Sequence, residues 1–151
     1  MNYEIVNLEE KIVVGITART SNDDENMGNI IGGLWKDFYG KGIYNLIENK
    51  VNDKAVGIYS DYENNYMGKY NITVGAEVKE AENIPTESII KVIPKGKYAK
   101  FIVRGHMQRA VAEFWNELWN MDLDRNYLCD FEEYQDCNDE NAEIHIYISI
   151  N

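Results

Sequence analysis

The sequence predicts an α+β fold: tandem β-α-β-β units in one antiparallel sheet, with two main helices and a groove where the halves meet. Three observations carry this. An apolar stripe at helical spacing occurs twice, a strand-like run stands before each stripe, and two more runs follow each. One domain spanning 1–151 is expected, built from halves at about 1–80 and 89–151.

The first strand candidate is KIVVGITART (11–20), rich in β-branched residues that suit a pleated backbone. The polar SNDDEN (21–26) follows, and Asn26 or Asp24 is suited to cap a helix start. Met27, Ile30, Ile31, Leu34, Trp35, Phe38 and Tyr39 then fall at i, i+3, i+4, i+7 and i+8, the stripe of an amphipathic helix. Gly32 and Gly33 inside it cost up to about 1 kcal/mol each against Ala. Close packing against a strand or the partner helix would account for them, as would room for a ligand. AVGIYSDYE (55–63) and KYNITVGAEV (69–78) read as strands joined by the turn-like NNYMG.

KEAENIPTES (79–88) is a connector and IIKVIPKG (89–96) adds extended structure. The second half opens on KYAKFIVRG (97–105). Met107, Ala110, Val111, Phe114, Trp115, Leu118 and Trp119 then repeat the first stripe at a constant offset of 80. A Trp in the same register of both stripes argues for duplication. YLCDFEEYQ (127–135) and AEIHIYISI (142–150), joined by DCNDEN, complete the unit.

Composition narrows the function. With 151 residues, 44% of them hydrophobic, and two prolines, the chain can bury a sizeable core. The net charge of −11 and the lack of a basic run exclude direct nucleic-acid binding, which rests on Lys and Arg neutralising phosphates. Early acids and the absence of a long apolar run exclude a signal peptide and a membrane segment, so a cytoplasmic protein is expected. Cys129 and Cys137 read as free thiols of a reducing compartment. His106 and His145 are far apart, and no metal site is expected. His106 is placed to cap the second helix; His145 is assigned to the surface or the groove.

Alternation within CDFEEYQ puts Cys129, Phe131 and Glu133 on one face and Asp130, Glu132 and Tyr134 on the other. Whichever face is inward, a carboxylate goes with it. In the last strand Ile144, Ile146, Ile148 and Ile150 line one side, expected under the helices, and Glu143, His145, Tyr147 and Ser149 the other. Glu132 and Tyr147 are expected to face the groove, and Glu133 to be a solvated or strand-edge acid.

GLWKDFY, YNITVGAEV, IPKGKYAKFIVRG, AVAEFWNELW, CDFEEYQ and EIHIYISI, in that order and spacing, resemble the GyrI-like small-molecule-binding domain, also described as the AraC-type effector-binding domain. The resemblance covers essentially the whole chain. It implies modules related by a pseudo-twofold axis and a groove between them lined by aromatics with an acid inside. The acid is the first residue of a Glu-x-Tyr strand, which is Glu132 here with Tyr134 as the tyrosine. Trp35, Tyr39, Tyr59, Trp115, Trp119 and Tyr147 are the candidate aromatic lining, although core packing is the default for a Trp on a helix stripe.

Many relatives carry a helix-turn-helix DNA-binding domain, for which there is no room before the first strand, so a stand-alone form is expected. The implied function is binding of small lipophilic, cationic aromatic molecules without a cofactor, for sequestration or transcriptional regulation. A carboxylate among aromatic faces suits such ligands, because the cation balances the buried charge and the rings add cation–π attraction. Two alternatives stand beside it. One is hydrolysis of strained cyclopropane-type electrophiles, with Glu132 and Tyr134 as acid–base groups. The other is a protein partner such as a topoisomerase, met through the acidic surface.

Overall fold

β-branched side chains restrict the backbone toward extended conformations, and the runs richest in them form the strands. The computed structural model describes residues 1–64, 67–136 and 138–151. In the first half these are β1 (Glu4–Leu8), β2 (Lys11–Ser21), α1 (Met27–Gly40), the short α2 (Ile43–Leu46), β3 (Ala55–Ser60) and β4 (Lys69–Val78). In the second they are β5 (Ile89–Ile93), β6 (Gly96–Gly105), α3 (Met107–Leu118), β7 (Cys129–Tyr134) and β8 (Ala142–Ser149). The fold is α+β, as expected, with two differences: β1 and α2 were not anticipated. Each half is therefore β-β-α-β-β. The turn expected at NNYMG falls partly on residues 65 and 66, outside the described residues.

All eight strands join one antiparallel sheet in the order β1-β6-β8-β7-β3-β4-β2-β5. The order is symmetric about the β3–β7 pair. Its outer strands are exchanged, since β1 of the first half pairs with β6 of the second, and β5 of the second pairs with β2 of the first. This explains why β1 was hard to read. A five-residue strand whose partner lies some ninety residues away carries little local signal.

Helix α1 packs on β2 and β4 through Phe38, Val14, Ile16, Val74 and Ala76. Helix α3 packs on β6 and β8 through Phe114, Leu118, Phe101, Ile144, Ile146 and Ile148. Burying a Phe of this kind contributes roughly 1.5–3 kcal/mol. The opposite face has a core of its own, in which Ile93 of β5 meets Val56, Ile58, Tyr98, Phe131 and Tyr147, with Val6 and Leu8 of β1 packed against them. Strands from both ends of the order share that cluster, so the sheet curls around it. The helices cover its outer halves and leave the centre, β3 and β7, as the floor between them.

The helix starts are capped unequally. His106 is the N-cap of α3 and its Nδ1 accepts from the Arg109 N–H at 3.5 Å, as the sequence indicated. At α1 the N-cap is Asn26, whose side chain makes no capping bond; instead Asp24 Oδ1 accepts from the Asn26 N–H at 2.8 Å.

Where β2 and β4 cross, Gly15 stands opposite Gly75. A Cβ on Gly15 would fall 2.1 Å from the Val74 carbonyl oxygen, and one on Gly75 2.4 Å from that of Val14. Backbone cannot yield as a side chain does. Gly15→Ala is therefore expected to destabilise by about 3 kcal/mol or more. Gly33→Ala, in mid-helix with nothing within 4 Å of its new methyl, should be neutral or stabilising by up to about 1 kcal/mol. Urea unfolding of the two variants checks both.

Candidate functional site

Side chains alternate across a strand, and the register of β7 decides which acid goes inward. Phe131 pairs with Tyr147 of β8, and Glu132 with Ile146. Ile146 belongs to the core under α3, so Glu132 points to the helix side and is 1% exposed. On its other flank it faces Gly57 of β3. A Cβ on Gly57 would lie 3.3 Å from Glu132 Oε1 and 3.4 Å from Trp35 Cζ2. The glycine leaves the room in which the carboxylate and the indole sit.

Three neutral donors hold the carboxylate. Tyr134 donates its hydroxyl to Oε1 at 2.7 Å, Trp115 its Nε1–H to Oε2 at 2.8 Å, and Tyr59 its hydroxyl to Oε2 at 3.1 Å. A carboxylate offers about four acceptor sites, so the set is nearly complete. Among the described residues no cationic side chain forms an ion pair with Glu132. Burial pushes the Glu132 carboxyl above its usual range, and the bonds from Trp115, Tyr134 and Tyr59 pull it part of the way back. Burial and then the charge of Glu132 raise the Tyr59 and Tyr134 phenols well above their ordinary value, so both remain protonated donors. Tyr70 is pushed up to about 12 by the same two causes.

Above this floor lies a cavity of about 890 Å³ walled by the helices. Its walls carry the two stripes at the same spacing. Met27, Gly28, Ile31, Gly32, Trp35, Lys36 and Tyr39 of α1 stand against Met107, Gln108, Val111, Ala112, Trp115 and Asn116 of α3 and Trp119 at its end, each pair 80 residues apart. Trp35 meets Tyr134 edge-on at 4.9 Å between ring centroids, and Trp115 meets Tyr59 at 5.0 Å. The indole of each half thus packs on the tyrosine of the other. Each helix stripe is split: Leu34, Phe38, Phe114 and Leu118 go to the cores, and the adjoining edge goes to the cavity. Gly28 and Gly32 have nothing within 4 Å of where a Cβ would be, so open space rather than close packing accounts for them.

A second buried acid, Asp130, lies two residues before Glu132 on the same face. It pairs with Arg125 Nη2 at 2.7 Å, accepts the Tyr62 hydroxyl at 2.6 Å, and accepts the Ser149 N–H at 2.9 Å. Arg125 and Tyr62 line the cavity, as do Asp136 and Asp139.

Of the residues expected at the site, Glu132, Tyr134, Tyr59, Trp35, Trp115, Tyr39 and Trp119 line the cavity. Tyr147 does not. It stacks on Phe131 at 4.5 Å in the core on the other side of the sheet, because residues paired across β7 and β8 share a face and its partner is Phe131 rather than Glu132. His145 shares that side, hydrogen-bonded to Glu143 at 2.9 Å, and is not a groove residue. Glu133 is half-buried and accepts from Gln135. Cys129 is a buried free thiol; Cys137 lies outside the described residues. Sequence reasoning missed Tyr62, Tyr70 and Arg125 as site residues: Tyr62 and Tyr70 lie in runs read as strands and Arg125 in a loop, and nothing in those segments shows which side chain reaches the cavity. Met27, Ile31, Met107 and Val111 were visible as stripe residues, but which edge of the stripe faced a cavity was not.

The Cass2 family, described as integron-associated effector binding protein, matches residues 4–150. The chain belongs to this family. Another protein similar to this Cass2 member is YobU of Bacillus subtilis (strain 168), provisionally named a transcriptional regulator and 31% identical over 156 residues, 97% of this chain and 96% of YobU. Among solved structures, an integron cassette protein from the mobile metagenome of Vibrio cholerae superposes with a TM-score of 0.81 at 28% identity, covering 99% of this chain and 95% of that one. SAV2435, solved bound to tetraphenylphosphonium, superposes with a TM-score of 0.77 at 20% identity, covering 99% and 94%. The effector-binding fold expected from the sequence is the one observed.

Replacing Trp115 by Phe retains an aromatic side chain and removes the 2.8 Å donor to Glu132. Loss of a hydrogen bond to a charged form disfavours that form, so the Glu132 carboxyl should move further up. A carbon-13 NMR titration of its side-chain carboxyl in wild type and Trp115→Phe measures the direction.

Proposed function

We propose that this cavity binds a lipophilic aromatic cation, with the positive charge on Glu132 and the rings among the tryptophans and tyrosines. The observation that carries this reading is a carboxylate buried on three neutral donors with no cationic partner among the described residues. Burying an ionised carboxylate without a counter-charge costs several kcal/mol even after relaxation. A cationic ligand supplies the counter-charge, and indole and phenol faces add roughly 0.5–2 kcal/mol each as cation–π contacts. Asp136 and Asp139 on the cavity lining and a net charge of −11 draw cations inward. A protein of the same fold, SAV2435, held tetraphenylphosphonium when solved, which supports the reading. The biological consequence is effector sensing or sequestration. We assign it to the cytoplasm, toward which a membrane potential drives a monovalent cation by about 2.3 kcal/mol per 100 mV.

Calorimetry with tetraphenylphosphonium and the neutral triphenylphosphine oxide tests the site. Wild type should bind the phosphonium and be raised in Tm by mass action. Glu132→Gln should lose at least about tenfold in affinity for the cation, about 1.4 kcal/mol, and Tyr147→Phe should lose nothing. Equal phosphonium binding by wild type and Glu132→Gln would overturn the charge-selecting role.

The pH dependence has a definite sign. The folded-state value of Glu132 is raised, so cation affinity should climb as pH rises from the ordinary carboxylate range through that raised value, then level off, and remain flat across the same window in Glu132→Gln. Without ligand the native state holds this proton longer than the unfolded chain does. Glu132's contribution to stability is therefore greatest at low pH and is lost as pH rises through the folded value. Glu132→Gln should accordingly gain in Tm relative to wild type across that interval, measurable by thermal denaturation at several pH values.

A further inference from the structure

We propose that the ligand carries its charge at its middle, between two aromatic arms related by an approximate twofold axis. This rests on the cation-binding reading above and specifies the ligand's shape.

The floor of the cavity is the β3–β7 pair at the centre of a symmetric strand order. Glu132 and Gly57 face one another directly across that pair, and each has a tyrosine two residues further on, Tyr134 and Tyr59. Both tyrosines donate to the same carboxylate. Each in turn meets the indole of a helix, at 4.9 and 5.0 Å. The acid therefore stands at the symmetric centre, and an aromatic Trp–Tyr pair extends from it on either side.

Gly57 is what permits a single central charge. Its position is equivalent to that of Glu132, and a side chain there would press on the carboxylate oxygen, which lies 3.3 Å from the site of a Cβ. A carboxylate in both positions would set two like charges side by side, so that one of them stays protonated. With glycine on one side the carboxylate sits over the centre. A molecule with its charge at one end could use the aromatic pair on one side only, leaving the other half of a cavity of about 890 Å³ unfilled. A centrally charged molecule with two arms uses both.

Two isomeric quaternary ammonium ions test this. Dimethyl-bis(naphthalen-2-ylmethyl)ammonium has its nitrogen between two naphthyl arms; trimethyl(binaphthylmethyl)ammonium has the same atoms with the nitrogen at one end. Wild type should bind the central isomer at least about tenfold more tightly. Gly32→Leu and Ala112→Leu, equivalent positions on opposite walls, should each weaken that isomer, and by factors within about threefold of one another. Equal or tighter binding of the end-charged isomer overturns the proposal, and this comparison needs no variant to fold. A difference of more than about tenfold between the two wall variants for the central isomer overturns it too. If neither isomer binds, or if Glu132→Gln leaves both affinities unchanged, the cation reading itself falls and the proposal with it. If both isomers bind equally through Glu132, the cation reading stands and only the central-charge proposal is lost.

Discussion

A carboxylate removed from water must be compensated where it stands, and the position of Glu132 makes that compensation depend on nearly every part of the fold. Its three donors come from three elements: Tyr134 from its own strand, Tyr59 from β3 and Trp115 from α3. Each hydrogen bond to a charged group contributes roughly 1.5–3 kcal/mol, and together they offset part of the cost of burial. Burial still dominates, and the carboxyl remains above its usual range. The site is thereby left short of one positive charge, which is the property a receptor for cations requires.

Asp130, two residues earlier on the same strand face, provides the internal contrast. It is equally buried, but Arg125 pairs with it and Tyr62 and the Ser149 backbone complete its bonds. Breaking such a pair by removing one partner typically costs 3–5 kcal/mol, which marks Asp130 as part of the framework. One strand thus supplies two acids with different consequences, set by whether a cation of the protein lies beside them.

The exchanged outer strands support this arrangement. With β1 on β6 and β5 on β2, the sheet closes around a core of Ile93, Tyr98, Phe131 and Tyr147. That core backs the central strands from behind and keeps β3 and β7 in register in front. The helices are then committed to the outer strands by Phe38 and Phe114, so their remaining edges face each other across open space. A cavity at the junction of two repeats follows from each helix packing on its own half of the sheet.

By itself the sequence determined the elements that rest on local periodicity: two apolar stripes with a tryptophan in matching register, the strands flanking them, and the alternation that puts Glu132 and Tyr134 on one face. These follow from bond geometry, 3.6 residues per helical turn and two per strand repeat, and need no knowledge of partners. Only the tertiary structure decided the rest. Strand pairing turned Tyr147 away from the site, because its face is set by which residue of β7 lies opposite. It recruited β1 across some ninety residues, and it brought Tyr62, Tyr70 and Arg125 together at one cavity. Gly57 became meaningful only opposite Glu132. Contacts of this kind are fixed by register and chain crossing, which are properties of pairs of segments, and a periodicity within one segment does not contain them.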